Sequence, residues 1–173
     1  MPLEIGNRAF IGLGSNLNNP PDNLAEAIRR LENTFQTPVT ASAVYFSEPA
    51  EVHNQPWFFN QVVYFNINPS LTPTIILKTL KMIELEMGRV PSFRYGPRLI
   101  DLDLLFFRNW VFESAFLTVP HPKIAERLFV LTPLLELEPN LIHPRLKISL
   151  NQIMNENSFN YGHCEKVTHI VIP

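Results

Sequence analysis

The chain has 173 residues, 46% of them apolar and only 17% charged, against about 25% charged in typical domains, so one compact domain with a sizeable core is expected. A formal net charge of −2 argues against a nucleic-acid binder working by bulk electrostatics, and the single Cys164 excludes an intramolecular disulfide. No apolar run is long enough to span a bilayer and the first residues lack a signal-peptide pattern, so a soluble, cytoplasmic protein without membrane or nucleic-acid partners is the expectation.

In chain order, Arg8 to Leu13 reads as a strand ending at Gly12-Leu13-Gly14-Ser15-Asn16. Pro20 and Pro21 open a helix whose Leu24, Ile28, Leu31 and Phe35 recur at helical spacing. Val39 to Phe46 reads as a second strand and Ser47 to Gln55 as a polar loop. Trp57 to Ile67 is a third strand, with Phe59, Val63 and Phe65 alternating against polar neighbours. Thr72-Pro73 caps the longest helix, striped by Ile76, Leu80, Ile83 and Met87 and ended by Gly88. A strand from Asp101 to Phe107 follows, with a hairpin continuation at Asn109 to Phe112. The chain then gives a helix from Ile124 broken near Pro133, a short helix near Leu150 and a strand from Val167 to Ile172. The order β-α-β-β-α-β is that of a ferredoxin-like α+β sandwich, with helices on one face of an antiparallel sheet. One domain over 1–173 is expected, with a core from about residue 8 to 148 and an extension of unassigned role beyond it.

The chemistry concentrates in Arg94-Tyr95-Gly96-Pro97-Arg98-Leu99-Ile100-Asp101-Leu102-Asp103-Leu104-Leu105. Strand alternation points Asp101 and Asp103 the same way, roughly 7 Å apart, with Ile100, Leu102, Leu104 and Phe106 on the opposite, apolar face. Two adjacent carboxylates need a cation, either a divalent metal or the neighbouring Arg89, Arg94 and Arg98. Guanidinium groups beside paired acids suit a metal-bound polyphosphate, and mutual ion pairing suits the same residues equally. Lys78 reads as a solvated helix-face charge. The Gly12-x-Gly14-Ser15-Asn16 run lacks the third glycine of a dinucleotide fingerprint and the Gly-Lys of a phosphate loop, which leaves a tight strand-to-helix turn. His121, held between Pro120 and Pro122, could donate to a phosphate or be structural. His163, Cys164 and His169 match no standard zinc spacing.

Taken together, Arg94-x-Gly96-Pro97-Arg98-x-x-Asp101-Leu102-Asp103-Leu104-Leu105 resembles the signature of the 6-hydroxymethyl-7,8-dihydropterin pyrophosphokinases of folate biosynthesis. Gly12-Leu13-Gly14-Ser15-Asn16-Leu17, Asn54-Gln55-Pro56-x-Phe58-x-Asn60, Glu84-Leu85-x-x-Gly88-Arg89, Leu117-Thr118-Val119-Pro120-His121 and Arg127-x-Phe129-Val130-Leu131-x-Pro133-Leu134 extend the likeness collinearly over roughly Ala9 to Pro144. The resemblance implies a monomeric enzyme that transfers the β,γ-pyrophosphoryl unit of ATP to the pterin hydroxymethyl oxygen and releases AMP. It implies two Mg²⁺ ions on Asp101 and Asp103 and a pterin ring stacked between Phe58 and Phe129. Asn60 would read the ring edge, helped by the loop from Ser47 to Ala50. Arg89, Arg98, His121 and Arg127 map to phosphate contacts, and Glu84, Leu104 and Thr118 to the nucleotide side. Arg89 and Arg98 also join the aspartates as expected catalytic residues.

Departures from the family pattern include a loop from Val90 to Arg94 about one residue short, Tyr95 where tryptophan is common, and Phe116 where some relatives carry arginine. At this length no second folate-pathway domain is expected on the chain. Two alternatives remain open: a nucleotidyltransferase, echoed by Gly14-Ser15 plus the Asp-x-Asp strand, and a non-catalytic ferredoxin-like binding module. The first has its glycine-serine turn too far from the carboxylates, and the second lacks a basic sheet face with exposed aromatics.

Overall fold

A computed structural model describes residues 5–157 and 162–168. At the centre of its main sheet lies β1 (Arg8–Ser15), antiparallel to β4 (Phe58–Asn66) on one side and to β5 (Asp101–Phe107) on the other. Beyond β4 come β2 (Thr40–Ala41) and β3 (Tyr45–Ser47), and β3 is in turn paired by β8 (Cys164–Lys166). The main path of the sheet is therefore β5-β1-β4-β3-β8, with every pairing antiparallel. A separate two-stranded ribbon joins β6 (Phe112–Glu113) to β7 (Thr118–Val119).

Strand alternation gives β1 two different faces. Ala9, Ile11 and Leu13 point to a cluster completed by α1 (Pro20–Phe35) and α2 (Pro73–Glu86). The prolines that open α1 occupy positions whose N–H needs no intrahelical partner. Thr72 caps α2 as its spacing predicts, its Oγ1 accepting from the Ile75 N–H at 3.3 Å, and Gly88 past the helix end has φ +92°. Leu24 and Leu31 of α1 and Ile76, Leu80 and Ile83 of α2 are buried against Val63, Phe65, Leu102 and Leu104. Burying one such side chain contributes about 1.5–3 kcal/mol.

The opposite face is also covered. Phe10, Val62, Leu105 and Phe106 meet a second layer of α3 (Leu128–Leu137) and α4 (Leu150–Asn157), which follow a 3-10 turn at Ile124–Glu126. Helices thus lie on both faces of the antiparallel sheet, not on one, because large apolar side chains emerge on both. The second layer covers only part of its face. It packs where β1 carries Phe10, and a cleft opens where β1 carries Gly12 and Gly14.

Other local expectations shift for identifiable reasons. Phe106 sits on the face of the aspartates because the β1–β5 register slips between Phe10 and Ile11, which leaves Leu105 as an extra residue. The strand expected over Val39 to Phe46 is split into β2 and β3, with Ser42 between them taking part in the sheet by its N–H to Val62 O. Pro133 lies inside α3 without interrupting it. Burial of Val130, Leu131 and Leu134 offsets the one hydrogen bond that proline forgoes. The hairpin forms later than expected, at Phe112–Val119. The C-terminal strand begins at Cys164, and most of the expected Val167 to Ile172 strand lies outside the described residues. No helix among the described residues is long and apolar enough to cross a membrane.

His143 ties the second layer together. Its Nδ1 accepts from Leu146 N at 3.2 Å, its backbone N–H donates to Ile148 O, and its ring meets the Phe106 edge at 5.6 Å. Burial, assisted by the Arg145 charge, pulls its pKa down to about 4. The fold therefore favours the neutral ring. That stability is fully present above the unfolded value of about 6.5 and is lost as pH falls from there through about 4. Urea unfolding across this window should show stability declining with acid, and His143→Gln should flatten the slope relative to the parent.

Candidate active site

The floor of the cleft is built by register. Gly12 lies between Val62 and Asp103, and Gly14 between Asn60 and Asp101, all on one face of three adjacent strands. Both glycines are inside β1 and neither has a positive φ, so the run is not the tight turn its sequence suggests. Their role is spatial. A Cβ on Gly14 would stand 3.5 Å from Asn60 Oδ1, and one on Gly12 would stand 3.4 Å from Leu105 Cδ2. Any longer side chain would fill the space between Asn60 and the aspartates. The resulting cleft spans about 780 Å³ including its open mouth.

One end of the cleft is aromatic, with Glu48 and Glu51 in the loop along its wall. Phe58 and Asn60 rise from β4, Ser47 ends β3, Pro49 and Ala50 follow it, and Phe129 comes from the first turn of α3. The Asn60 carboxamide nitrogen donates to Ser47 Oγ at 2.9 Å and to the Phe58 carbonyl at 3.3 Å, which fixes the side chain and leaves its oxygen toward the glycine floor. Asn60 is 5% exposed, so an unsatisfied group at this position would be costly.

The other end is charged, and its two carboxylates are not equivalent. Asp101 accepts from Arg89 Nη1 and from Arg98 Nη1, each at 2.7 Å. Desolvation works to raise Asp101, and the charges of Arg98, Lys81 and Arg89 outweigh it and hold the carboxyl below its ordinary value. Asp103 has one ion-pair partner among the described residues, Lys81 Nζ at 4.0 Å, and feels the charges of His121 and Arg127 from farther off. Desolvation and the like charge of Asp101 push it above its ordinary value. His121 lies across from this pair. Its Nδ1 accepts from Lys123 N at 3.1 Å, which puts the proton of the neutral ring on Nε2. Desolvation keeps His121 below its usual value against the pull of Asp103. Arg127 also lines the cleft, with Glu51 3.8 Å away and its guanidinium over Phe129 at 5.7 Å.

The Ser15-Asn16 pair holds the arginine loop in place. Asn16 Oδ1 accepts from Arg98 N at 2.8 Å, while its amide nitrogen donates to Gln55 Oε1 and to Pro56 O. Ser15 Oγ donates to Leu99 O at 2.5 Å, and Gln55 Nε2 donates to Tyr95 O at 2.8 Å. Three segments far apart in sequence are thereby tied around Arg98.

Of the residues singled out from sequence, Ser47, Ala50, Phe58, Asn60, Arg98, Asp101, Asp103, His121, Arg127 and Phe129 line one cleft. Arg89 stands behind Asp101, bonded to it and to Glu84. Glu84 is buried beneath the strand, with its carboxylate turned away from solvent. Leu104 is on the opposite face, its side chain packed in the core of α1 and α2. Thr118 belongs to the β6–β7 ribbon and is half-buried. Asn16 and Gln55 stand inside the shared motifs but received no role from sequence, because nothing in a polar loop position signals the long-range bonds they make. Lys81 belongs to the basic set the sequence shows, and its place three residues before Glu84 brings its ammonium to 2.7 Å from that carboxylate and toward Asp103, a reach local spacing does not give.

A family model described as "7,8-dihydro-6-hydroxymethylpterin-pyrophosphokinase (HPPK)" matches residues 10–139. A "2-amino-4-hydroxy-6-hydroxymethyldihydropteridine pyrophosphokinase" of Aquifex aeolicus is 38% identical over 86% of this chain and 91% of its own length. A "Folic acid synthesis protein FOL1" of Dictyostelium discoideum is 37% identical over 93% of this chain, which spans 24% of that protein. Against another such protein, from Pneumocystis carinii, the chain spans 20%. A solved structure described as "Crystal Structure Analysis of the HPPK-DHPS in complex with substrates" superposes with a TM-score of 0.70 at 14% identity, over 89% of this chain and 44% of that one, a likeness of fold.

Beneath the cleft, Glu84 gathers the cations. Its Oε1 accepts from Leu102 N and Lys81 Nζ, both at 2.7 Å, and its Oε2 lies 2.5 Å from Arg89 Nη1. Desolvation raises this carboxyl, and removing it strands two cations and a strand N–H. Glu84→Ala should lower the free energy of unfolding by about 3 kcal/mol in chemical denaturation, with Glu84→Gln losing clearly less.

Proposed function

The chain belongs to the 7,8-dihydro-6-hydroxymethylpterin-pyrophosphokinase family, and from that premise we propose that it transfers the β,γ-pyrophosphoryl unit of ATP to the hydroxymethyl oxygen of 6-hydroxymethyl-7,8-dihydropterin, with AMP released, in folate biosynthesis. One observation carries the reading: a single cleft joins an end walled by two phenylalanines and Asn60 to an end bearing two aspartates, two arginines and a histidine. A planar ring and a polyphosphate are the two ligand types those ends suit. We read the protein as a monomer that acts on small molecules, the cleft being of a size for a planar ring and a polyphosphate. We also read the strand order, with two β-α-β units sharing one antiparallel sheet, as a ferredoxin-like sandwich carrying an extra helical layer.

In this reading the pterin lies over Gly12 and Gly14 between the faces of Phe58 and Phe129. The Asn60 carboxamide, held by Ser47, offers its oxygen to the ring edge and sets orientation. Arg98, Arg127 and the neutral His121 Nε2–H face the triphosphate as donors, with Arg89 behind them. The hydroxymethyl oxygen bonds to the β-phosphorus as the bond from that phosphorus to the α-phosphate oxygen breaks, so AMP leaves. The hydroxyl proton passes to a carboxylate oxygen of Asp103, the acid of the aspartate pair that holds no hydrogen-bonded arginine among the described residues. Positioning and charge neutralisation, more than a strong base, lower the barrier of such a transfer.

The donor set fits magnesium. Asp101 and Asp103 present hard oxygen ligands from one strand face, and the weakly partnered Asp103 can accept a cation with little rearrangement. The two residues would hold two Mg²⁺ ions, which supply charge neutralisation for the triphosphate when bound. Arg89 and Arg98 screen Asp101 before substrate arrives and are available to phosphate oxygens after it.

Incubated with Mg·ATP and the dihydropterin, the protein should yield AMP and the pterin pyrophosphate. Release of inorganic pyrophosphate would point instead to nucleotidyl transfer, and ADP would defeat both. Asp103→Ala should cut turnover at least about a hundredfold with little change in melting temperature. Gly14→Val should abolish dihydropterin binding measured by titration, because its branched side chain occupies the floor where the ring would lie.

A further inference from the structure

The cleft shares a wall with a second, polar cavity of about 660 Å³, including its open mouth: Glu48, Pro49 and Ala50 on one stretch, and Arg127 and Phe129 on another, line both. The far wall of that second cavity is the C-terminal segment Gly162, His163 and Cys164. This segment leads into β8, which lies along β3 in the register Tyr45↔Lys166, Phe46↔Glu165 and Ser47↔Cys164. Val167 N donates to Val44 O at 2.9 Å. Hydrogen-bonded and non-bonded pairs alternate in an antiparallel ladder, so Phe46 and Glu165 form the next bonded pair and Glu165 N donates to Phe46 O. Without β8, the three residues of β3 would be a bare sheet edge leading directly into the cleft wall.

The contact continues past the end of the ladder. His163 N donates to Glu48 Oε1 at 2.8 Å, and the His163 ring lies 5.4 Å from the Trp57 ring. Gly162 passes so close that a Cβ there would be 2.5 Å from Glu48 Oε1. The C-terminal segment therefore touches both ends of the loop between β3 and β4. Farther along, Glu136 of α3 accepts from Tyr45 Oη at 2.5 Å and lies 3.4 Å from Lys166 Nζ, which joins strand, tail and helix at one point. On the inner side of the same wall, Ser47 Oγ holds Asn60.

We propose that the C-terminal strand is a positioning element for the aromatic end of the cleft: by closing the edge of β3 and holding Glu48, it sets the distance of the Ser47–Ala50 wall from the bound ring. The inference rests on reading that end as the dihydropterin pocket. A three-residue strand at the rim of a sheet contributes little to global stability. A displacement of about 1 Å in a binding wall is nevertheless felt strongly by a rigid ligand. The consequence belongs to one substrate and not to the other.

Three variants of the full chain separate the possibilities. Glu165→Pro deletes the N–H that faces Phe46, at a residue whose side chain is 60% exposed, while Glu165→Gln keeps that N–H and removes only the charge. Gly162→Ala leaves the ladder and displaces the Glu48 carboxylate. Dihydropterin Kd is measured in the presence of a non-hydrolysable ATP analogue, alongside KM for both substrates and the melting temperature. Glu165→Pro and Gly162→Ala should raise the dihydropterin Kd and KM roughly tenfold while KM for ATP and the melting temperature hold, with Glu165→Gln matching the parent. An unchanged dihydropterin Kd in folded Gly162→Ala, or equal weakening toward both substrates, overturns the proposal. Gly162→Ala decides alone should Glu165→Pro fail to fold. If the parent protein binds no dihydropterin, the reading of the pocket falls and takes this proposal with it. If the parent binds and the variants bind equally well, only the positioning role falls.

Discussion

Asp101 accepts from Arg89 and Arg98 at 2.7 Å each, and much of the chain is arranged so that those two guanidinium groups can reach it. Arg89 arrives from just past the end of α2 and is held by Glu84, which is itself anchored to the N–H of Leu102 in the same strand. Arg98 arrives from the Gly96-Pro97 loop, whose backbone is bound by Asn16 at the end of β1. A carboxylate this desolvated costs several kcal/mol unless it is compensated, so the two arginines are a condition of placing acids on this strand. The hydrogen-bonded arginines stop at Asp101. Its neighbour Asp103 faces the cleft with one ammonium 4.0 Å away, and this asymmetry gives the charged end its capacity to take a further cation.

The cleft exists because two layers of helices compete for one sheet and the second layer is incomplete. Phe10, Val62 and Phe106 demand cover and receive α3 and α4. Two residues farther along β1, glycine replaces the aromatic side chain, and the same face has nothing to bury. Covering and opening therefore follow from a change of side-chain volume along a single strand, with the Leu105 bulge of β5 marking the boundary. The loop after β3 then walls the opening, held from inside by the Ser47–Asn60 bond and from outside by β8.

Much of this was legible before any coordinates. The span of β5 and the caps of α2 followed from alternation, from Thr72-Pro73 and from Gly88, because local rules govern them. The convergence of Phe58, Asn60, Asp101, Asp103, Arg98, His121, Arg127 and Phe129 followed from collinear motifs shared with a family. Local pattern misplaced Phe106, since a bulge set by strand pairing reverses its face. It also broke α3 at Pro133, where tertiary burial overrides a poor propensity.

Residue types and spacing, on their own, determined that two carboxylates would share a face beside a basic loop and that the chain would alternate strands with amphipathic helices. Those properties depend on neighbours a few positions away. Which carboxylate is neutralised by arginine, why Gly12 and Gly14 matter, and what the C-terminal segment touches were decided only by the tertiary structure. Each depends on contacts between segments distant along the chain: Asn16 with Arg98, Gly14 with Asn60 and Asp101, and His163 with Glu48. Such contacts arise from strand order and packing, which one-dimensional periodicity does not encode.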